Sequence, residues 1–545
     1  MIEKNILVII PARGGSKGIP RKNIRSLASK PLIYYSINTS LSSKYKPDVY
    51  VSSDDEEILS ISEKLGAKTI YRSKKLAGDK ITLDSVIFDA YTQVKSIEHK
   101  TYDYIITLQP TSPLLTSESL DKAIERTISN PKIETTISAN DDTHLTWLKE
   151  ADKYIPNYKA RLNRQYLPAV YKETGGFFIT RADIMSPENR IGKEVDLFLL
   201  NNGEEIDIDT YEDWNLCEYH LKRRTILFVV TGRKDIGLGH VFRSLQIAND
   251  ILNHRLIFLL EKGSELGFGI IKNKHYEVYI QKHENLTDDI KKIKPDIVIN
   301  DILDTNEAYM LELKKTDIKT INFEDIGIGS RSANLVFNAL YPDKFIDADY
   351  YFGHEYFMAR DEFLLSSKKQ IEEKVSQVLI TFGGTDPNNY TLKILDSIYE
   401  YCQNKQINIE VILGLGYTEK ASLSKFKNVN ILQDVKNISD YMLKADIIFS
   451  SAGRTVYEIA CIGTPSIILS QNERENTHLF AREENGFVNL GLAINYANDK
   501  LLKQFIQLSN DVELRKQKSA LMLSRDVKKG RKRVIRIIND FINNI

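Results

Sequence analysis

Short apolar runs alternate with amphipathic stretches along most of the chain. The first run, at residues 6–10, leads straight into a glycine-broken loop. In the second part of the chain, similar runs are separated by stretches of helical character and lie at residues 225–230, 256–260, 296–300, 319–323, 377–382, 409–413 and 446–450. Apolar strands that alternate with helices are typical of parallel sheets covered by helices. The pattern therefore predicts an α/β fold.

A division near residue 223 separates two parts of the chain. Residues 212–221 read as a helix that ends in Lys222-Arg223-Arg224, and a new apolar strand begins immediately afterwards. At 545 residues the chain is too long for one hydrophobic core. We predict domains at 1–222, 223–350 and 351–545, with residues 351–360 crossing between the last two and a helix at 525–543.

Charge and cysteine content narrow the range of partners. Lys plus Arg and Asp plus Glu total 74 each, so no global field favours nucleic acid or an anionic membrane. The basic run at 528–533 is then expected to be a solvated helix face. Cys217, Cys402 and Cys461 are far apart and lack metal-site spacing, which indicates reduced thiols. No leader pattern precedes Ile6 and no apolar run approaches the ~20 residues of a membrane span, so we expect a cytoplasmic protein.

The loop after the first apolar run has the composition of a phosphate-binding loop. Its glycines, Gly14, Gly15 and Gly18, let the backbone bend and let N–H groups approach an anion. Triphosphate charge would be offset by the cations of the loop: Arg13, Lys17, Arg21 and Lys22. The spacing is neither GxxxxGK[ST] nor GxGxxG, which argues against an ATPase or a dinucleotide oxidoreductase. The alternative interpretation is a basic surface turn after a buried strand.

Two carboxylates form a candidate metal site near the end of the first part. Asp207 and Asp209 are two positions apart, so on a strand they would point to the same face. Together they would suit Mg²⁺, a hard cation that prefers carboxylate and water oxygens. The metal-free alternative is a helix cap, because Asp209 precedes Thr210 and the predicted helix.

Three glycine turns follow predicted strands in the second part. Residues 237–240, with the sequence GLGH, precede Arg243 and present His240 at the carboxyl end of a sheet, where α/β proteins bind ligands. Residues 382–387 form a second turn that suits a diphosphate at a helix N-terminus. Residues 451–458 form a third glycine turn, in which Glu458 is placed to accept hydrogen bonds from ribose hydroxyls. The alternatives are a structural histidine and a glutamate favoured by the helix dipole.

The first part resembles the CMP-sialic acid synthetases, the cytidylyltransferases that activate nonulosonic acids. The resemblance rests on strings that follow one another in order, at residues 6–24, 51–55, 72, 108–114, 164–168, 175–176 and 206–210. It implies a Rossmann-like nucleotidyltransferase (GT-A-like) fold, transfer of CMP from CTP to a nonulosonic acid, Mg²⁺ as cofactor and a homodimer.

The same resemblance implies roles for individual residues. The implied catalytic residues are Arg13, Lys17 and Asp209, and the metal ligands are Asp207 and Asp209, which we favour over the capping alternative. The nucleotide would be bound by Arg13, Gly14, Gly15, Lys17, Lys22, Asn23 and Arg72. The sugar acid would be bound by Gln109 and Arg164.

The second part resembles the UDP-2,4-diacetamido-2,4,6-trideoxy-β-L-altropyranose hydrolase of pseudaminic acid synthesis, a relative of MurG-type enzymes with a GT-B pair of Rossmann-type domains. This implies hydrolysis of a UDP-linked amino sugar, with His240 catalytic. The sugar would lie at Gly237, Gly239 and Arg243, and the nucleotide at Gly384, Thr385, Gly453 and Glu458. Ser244 stands where a cysteine is common, and Asn300-Asp301 replaces an acidic-histidine pair. A glycosyltransferase and a non-catalytic nucleotide-sugar-binding module remain as alternatives.

Overall fold

A computed structural model describes residues 4–78, 80–233, 236, 238–341, 349–384, 386–414, 416–495 and 497–545. The chain divides into two compact units, unit 1 at residues 1–223 and unit 2 at residues 224–545. Among the described residues, none of the helices combines the length and the apolar character that crossing a bilayer requires.

Unit 1 is an α/β unit with a mixed central sheet. Its strands are β1 (Ile6–Pro11), β2 (Ser26–Leu27), β3 (Lys30–Pro31), β4 (Asp48–Ser53), β5 (Lys68–Tyr71), β6 (Tyr104–Leu108), β7 (Thr135–Asp141), β8 (Trp147–Glu150), β9 (Lys153–Pro156), β10 (Tyr171–Arg181) and β11 (Val195–Leu199). Its helices are α1 (Leu32–Leu41), α2 (Glu56–Lys64), α3 (Leu83–Glu98), α4 (Ser117–Ser129) and α5 (Tyr211–Lys222). The central sheet has the order β11-β7-β10-β6-β1-β4-β5.

The register of this sheet determines where the site lies. Val8 of β1 lies opposite Val49 of β4 and Ile106 of β6, and both pairings are parallel. Strand β10 runs antiparallel between β6 and β7. Alternate residues of β1 enter two separate cores, Val8 one and Leu7 the other, so both faces are covered. Because β1, β4 and β6 are parallel, the loops that follow them meet at one edge.

Unit 2 contains two parallel sheets, as the strand pattern predicts. The first has the order β14-β13-β12-β15-β16-β17-β18. Its strands are β12 (Thr225–Val230), β13 (Arg255–Leu260), β14 (Glu277–Ile280), β15 (Ile297–Asp301), β16 (Lys319–Phe323), β17 (Leu335–Asn338) and β18 (Tyr350–Phe352). The helices of this region are α6 (Gly239–Asp250), α7 (Glu265–Lys272), α8 (Leu286–Ile293) and α9 (Glu307–Lys314).

The second sheet of unit 2 has the order β21-β20-β19-β22-β23-β24. Its strands are β19 (Gln377–Ile380), β20 (Asn408–Leu413), β21 (Val429–Gln433), β22 (Ile447–Ser450), β23 (Ser466–Ser470) and β24 (Val488–Leu492). The helices from residue 361 onward are α10 (Asp361–Leu365), α11 (Tyr390–Lys405), α12 (Ile438–Lys444), α13 (Thr455–Ile462), α14 (Glu473–Asn476), α15 (Asn498–Asn510), α16 (Val512–Leu523) and α17 (Gly530–Asn543).

The last helix joins the two halves of unit 2. Val534, Ile538 and Ile542 of α17 pack into the core of the first sheet, although the preceding helices belong with the second. Arg531 is buried and forms ion pairs with Asp250 and Asp361. The prediction that the basic run 528–533 is a solvated helix face is therefore wrong at Arg531, because the packing of α17 buries this side chain and Asp250 and Asp361 neutralise its charge.

The predicted strands are present, with ends that agree within two residues. The strands of unit 2 that were not predicted are β14, β17, β18, β21, β23 and β24. Half-buried or exposed side chains explain the absence of a continuous apolar run at β14, β18 and β21, whereas β17 and β23 are buried and were missed although they are apolar. Cys217, Cys402 and Cys461 are buried free thiols, in agreement with the prediction.

A buried arginine in α16 gives a test of the packing of unit 2. Arg515 is fully buried and donates to the carbonyls of Leu508 and Ser509 at 2.8 and 2.6 Å, which end α15, and to those of Glu372 and Glu373 at 2.9 Å. Replacing Arg515 with Met should lower the free energy of unfolding by about 2 to 4 kcal/mol, because the buried carbonyls lose charged donors. Urea denaturation followed by circular dichroism measures this loss.

The control is Lys516→Met on the same helix, where the side chain is about half exposed and a change within about 0.5 kcal/mol is expected. Both tryptophans, Trp147 and Trp214, lie in unit 1, so tryptophan fluorescence reports on that unit separately. Equal destabilisation by the two substitutions would contradict the role of Arg515.

Candidate functional site

We call residues 12–22, which follow β1 and carry the four cations, the cation loop. This loop is held against the end of β4. The backbone N–H of Gly14 donates to Asp54 Oδ1 at 3.1 Å. A Cβ atom at position 14 would lie 2.7 Å from Asp55 Oδ2, so only glycine fits there without a shift. Asn23 is buried and its Nδ2 donates to the carbonyl of Arg13 at 3.0 Å. Asn23 therefore braces the loop from inside.

The far end of the cation loop contacts the segment that carries the two carboxylates. Lys22 Nζ donates to the carbonyl of Ile208 at 2.6 Å and lies 3.3 Å from Asp209 Oδ1. A Cβ atom at Gly18 would lie 2.8 Å from the carbonyl oxygen of Asp209. The backbone N–H of Ile208 donates to the carbonyl of Thr111, in the loop after β6. Three segments predicted separately thus meet at one edge of the sheet.

The two carboxylates differ in environment. Asp207 is half-buried, and burial raises the pKa of its carboxyl group. Neither Asp207 Oδ1 nor the Thr111 hydroxyl, both buried, has a hydrogen-bond partner of ordinary geometry. Asp209 is 77% exposed. The Thr111 hydroxyl is the neighbouring donor of Asp207, and its effect on the pKa of Asp207 opposes that of burial. A buried carboxylate oxygen that is incompletely satisfied is a group that a hard cation binds, so the pair of carboxylates fits Mg²⁺.

The structure contradicts two predictions about these carboxylates. Residues 206–209 are not part of a strand. Helix α5 is capped by Thr210, whose side chain forms a capping box with Asp213. Because the cap is occupied in this way, the capping alternative for Asp209 is wrong. Among the described residues, groups of three or more His, Cys, Asp or Glu side chains that would hold a metal alone are absent.

The other residues predicted for this site fall in different positions. Arg72 is buried, its Nη2 lies 3.9 Å from Asp54 Oδ1, and burial, with Arg13 nearby, lowers the pKa of Arg72. Gln109 directly follows β6, and its carbonyl accepts from Ser36 Oγ at 3.0 Å. Arg164 lies on an exposed turn, with Nη2 3.5 Å from the carbonyl of Asp141. The roles of Arg13, Lys17 and these residues in binding stay predictions.

Arg164 belongs to an exposed segment of unit 1. Strands β8 and β9 pair only with each other, and every residue of both is exposed. The large apolar side chains exposed in this region are Trp147, Leu148, Tyr154, Ile155, Leu162, Tyr166, Val170 and Tyr171. An apolar surface of this extent usually marks an interaction site.

In unit 2, His240 lies in the first turn of α6, beside the carboxyl ends of β12 and β15. Its Nδ1 is 2.8 Å from Asp301 Oδ1. Arg243 Nε donates to Asp301 Oδ2 at 2.8 Å, and Arg243 Nη2 contacts the other carboxylate oxygen. Ser244 Oγ donates to Asp301 Oδ2 at 3.1 Å. The Arg243 side chain is 2% exposed and holds Asp301, and its role in binding the substrate stays a prediction.

Asp301 was not predicted as a site residue. It was noted only as a departure from a family pattern, yet it ends β15, the parallel neighbour of β12. Residues at the carboxyl ends of adjacent parallel strands converge, and this rule is the signal that would have found Asp301. Burial would raise the pKa of Asp301, but Arg243 and the hydrogen bonds from His240 and Arg243 lower it well below its ordinary value.

Charged residues from both halves of unit 2 lie close together behind His240. Arg243 Nη1 lies 3.3 Å from Glu324 Oε1. Arg454, which precedes α13, lies beside Gly239, where an added Cβ would be 3.2 Å from Arg454 Cδ. Burial and nearby Arg243 lower the pKa of Arg454 to about 10. Burial raises the pKa of Glu324, against the effect of Arg243 and Arg454. Neither is among the predicted site residues: no local motif marks Glu324, and within the third glycine turn, residues 451–458, only Gly453 and Glu458 are assigned a role.

The predicted nucleotide residues lie on turns of the second sheet. Gly384 follows Gly383, which has a φ of +78°, and an added Cβ at Gly384 would meet nothing within 4 Å. Gly453 lies just before α13. Glu458 is 12% exposed, and its Oε1 accepts from Arg360 Nε at 2.9 Å. Gly237 and Thr385 lie outside the described residues.

Two family models match separate parts of the chain. A model described as Cytidylyltransferase matches residues 7–213, within unit 1. A model described as Glycosyltransferase family 28 C-terminal domain matches residues 363–537, within unit 2. The predicted fold class, a nucleotidyltransferase domain followed by a GT-B-like pair, is confirmed by these matches together with the three sheets.

Relatives match the same parts. A pseudaminic acid cytidylyltransferase of Campylobacter jejuni is 35% identical over 221 residues, which cover 38% of this chain and 92% of that protein. A Helicobacter pylori protein named pseudaminic acid cytidylyltransferase and UDP-2,4-diacetamido-2,4,6-trideoxy-β-L-altropyranose hydrolase is 26% identical over 485 residues, 85% of this chain and 87% of that protein. An uncharacterized protein of Methanocaldococcus jannaschii is 29% identical over 274 residues, 46% of this chain, and the chain spans 56% of its length.

The matched region 7–213 contains the cation loop, the carboxylates and the edge at which they meet. On the family model and the 35% identity over 92% of a relative's length, the chain belongs to the cytidylyltransferase family.

Proposed function

We propose that the chain is a bifunctional enzyme of nonulosonic acid metabolism. Unit 1 would convert CTP and a nonulosonic acid into a CMP-nonulosonate and diphosphate, and unit 2 would hydrolyse a UDP-linked amino sugar. The observation that supports the first activity is the contact of Lys22, in the cation loop, with the carbonyl of Ile208 and the carboxylate of Asp209. The cations that we propose to bind phosphate are thus close to the carboxylates that we propose to hold a divalent metal.

The first reaction requires positioning and neutralisation of charge more than covalent chemistry. The anomeric hydroxyl of the sugar acid would attack the α-phosphorus, the bond to the β-phosphate oxygen would break, and diphosphate would leave. Arg13, Lys17 and the N–H groups of the glycine loop would hold the phosphates. Asp207 and Asp209 would hold Mg²⁺, which when bound offsets the phosphate charge.

The nucleotide and the sugar acid would use different parts of the edge. Arg72 and Asn23 lie on the side of the cation loop and the end of β4, which suits the cytidine side. Gln109 follows β6 and Arg164 lies on the exposed segment, which suits an acidic sugar. The substrate class is a pseudaminic or legionaminic type of acid, since relatives bearing both names match unit 1.

The second reaction would take place at His240. An imidazole can accept a proton at neutral pH, so His240 would act as general base on a water that attacks C1 of the sugar. UDP would leave towards the glycine turns at Gly384 and Gly453, with Glu458 at the ribose. Arg243 is buried behind His240 and would have a positioning role.

The exposed apolar surface and the free thiols support proposals for the assembly and the location of the protein. We propose a homodimer formed through β8, β9 and residues 158–171, because a two-stranded hairpin with exposed apolar side chains is marginally stable in water without a partner. We propose a cytoplasmic location, since the three cysteines are free thiols.

Asp207→Asn and Asp209→Asn should each reduce diphosphate release from CTP and a nonulosonic acid by about 100-fold or more, because the metal loses an anionic ligand. EDTA should abolish turnover and added Mg²⁺ should restore it. A coupled diphosphate assay measures both effects. The control, Glu212→Gln, removes an exposed carboxylate from the first turn of α5 and should preserve turnover. Turnover of Asp209→Asn equal to wild type at saturating Mg²⁺ would contradict the metal assignment.

His240→Gln should reduce release of UDP from UDP-2,4-diacetamido-2,4,6-trideoxy-β-L-altropyranose by about 100-fold or more, because the general base is lost. Diphosphate release from CTP should be unchanged. The control is His254→Gln, at the amino end of β13, where the ring accepts from the backbone N–H of Arg224. UDP release that requires an added acceptor sugar would instead identify a glycosyltransferase, and binding of UDP without turnover would identify a binding module.

Trp147→Glu combined with Tyr154→Glu should convert a dimer into a monomer of 62.5 kDa, because charge would be placed in the proposed interface. Sedimentation velocity at several concentrations measures the mass. Both side chains are exposed, at 54% and 70%, so folding should be unaffected. Leu365→Glu, at an 86% exposed leucine of unit 2, is the control and should remain dimeric. A monomeric wild-type protein would refute the proposal.

A further inference from the structure

Asp301 is the most completely satisfied buried carboxylate of the second site. It is 0% exposed and receives donors from three side chains, His240, Arg243 and Ser244. The guanidinium of Arg243 binds both of its oxygens, which is the geometry of a strong charge-assisted pair. Asp301 is therefore ionised, and an ionised carboxylate only accepts hydrogen bonds.

This contact decides which ring nitrogen of His240 carries the proton. Because Asp301 Oδ1 accepts at 2.8 Å, the proton of a neutral imidazole lies on Nδ1. The lone pair is then on Nε2. The Arg243 guanidinium lies 3.4 Å from Nδ1. It cannot accept a hydrogen bond from Nδ1–H, and its own N–H groups already bind Asp301 and Glu324.

Asp301 is itself fixed by the fold. It ends β15, pairs in register with Val230 of β12, and is backed by Arg243, whose guanidinium also lies over the ring of Phe323. Its partner His240 begins α6 and is 15% exposed, so one side of the ring is held in the interior while part of it reaches the surface. The rotamer of the imidazole is thus set by a carboxylate that has little freedom to move.

We propose that Asp301 is a positioning residue that fixes His240 as the Nδ1–H tautomer and so directs Nε2 to act as the base. This inference rests on the proposed hydrolysis of a UDP-linked amino sugar. Nε2 takes a proton from water as the water oxygen bonds to C1. The bond from C1 to the diphosphate oxygen breaks, and its electron pair leaves with UDP.

Asp301→Asn keeps the size of the side chain and removes its charge. We expect kcat for UDP release to fall by about 100-fold or more while KM changes little, as when a buried carboxylate partner of a catalytic histidine is neutralised. Diphosphate release by unit 1 should be unchanged, and circular dichroism compared with wild type reports whether unit 2 stays folded. The control is Asp296→Asn, directly before β15, where the carboxylate accepts a hydrogen bond from the backbone N–H of Thr225. This variant should keep the wild-type kcat for UDP release. Equal kcat in wild type and Asp301→Asn would overturn the proposal.

A measurement without substrate tests the tautomer directly. Two-bond ¹H–¹⁵N correlation spectra of protein labelled in its nine histidines distinguish Nδ1–H from Nε2–H, and the His240 signals are those lost in His240→Gln. We expect Nδ1–H in wild type, and loss of that preference in Asp301→Asn. Nε2–H in wild type would overturn the proposal, even if Asp301→Asn did not fold. Wild-type protein that releases no UDP but shows Nδ1–H would refute the hydrolase function and leave the contact established.

Discussion

Both candidate sites depend on one constraint: parallel strands end at a common edge of the sheet, so the charged residues that follow them meet there. Each of these charged groups needs a partner, and those that are buried need one most. In unit 1 the cations follow β1, and Lys22 reaches the carbonyl of Ile208. In unit 2 the carboxylate of Asp301 ends β15 and is neutralised by Arg243 from the neighbouring α6. A buried charge without such a partner costs several kcal/mol, so the cluster of Asp301 and Arg243 has to be complete to be stable.

Much of this arrangement can be predicted from the local sequence. A glycine-broken basic loop after an apolar run predicts an anion site, and the structure explains two of its glycines, because side chains at Gly14 and Gly18 would press on Asp55 and on the backbone of Asp209. The strand runs predict the two parallel sheets of unit 2. These features depend on residues close in sequence, where composition and period are sufficient.

The rest depends on residues that meet only through the fold. Asp301 lies 61 positions from His240, and Arg454 approaches Gly239 from the opposite half of unit 2. In the sequence, Arg531 is part of a basic run that looks exposed. In the structure it is buried and pairs with Asp250 and Asp361. A lone Asp or Arg has no local signature of its partner, so such residues can be found only after strand order is known.

The pair Asn300-Asp301 shows how adjacent residues serve different purposes. Successive side chains of a strand point to opposite faces, and here Asn300 bonds with Asn322 and Tyr309, while Asp301 joins the charged cluster of Arg243. Through Asn322 the first network also reaches the carboxylate of Asp325. Exchanging Asn300 and Asp301 would leave Arg243 with Glu324 as its one carboxylate within the pairs described, and would place a second carboxylate in the network that already holds Asp325. The charge of Asp301 is therefore required on its own face of β15, where Arg243 and His240 lie.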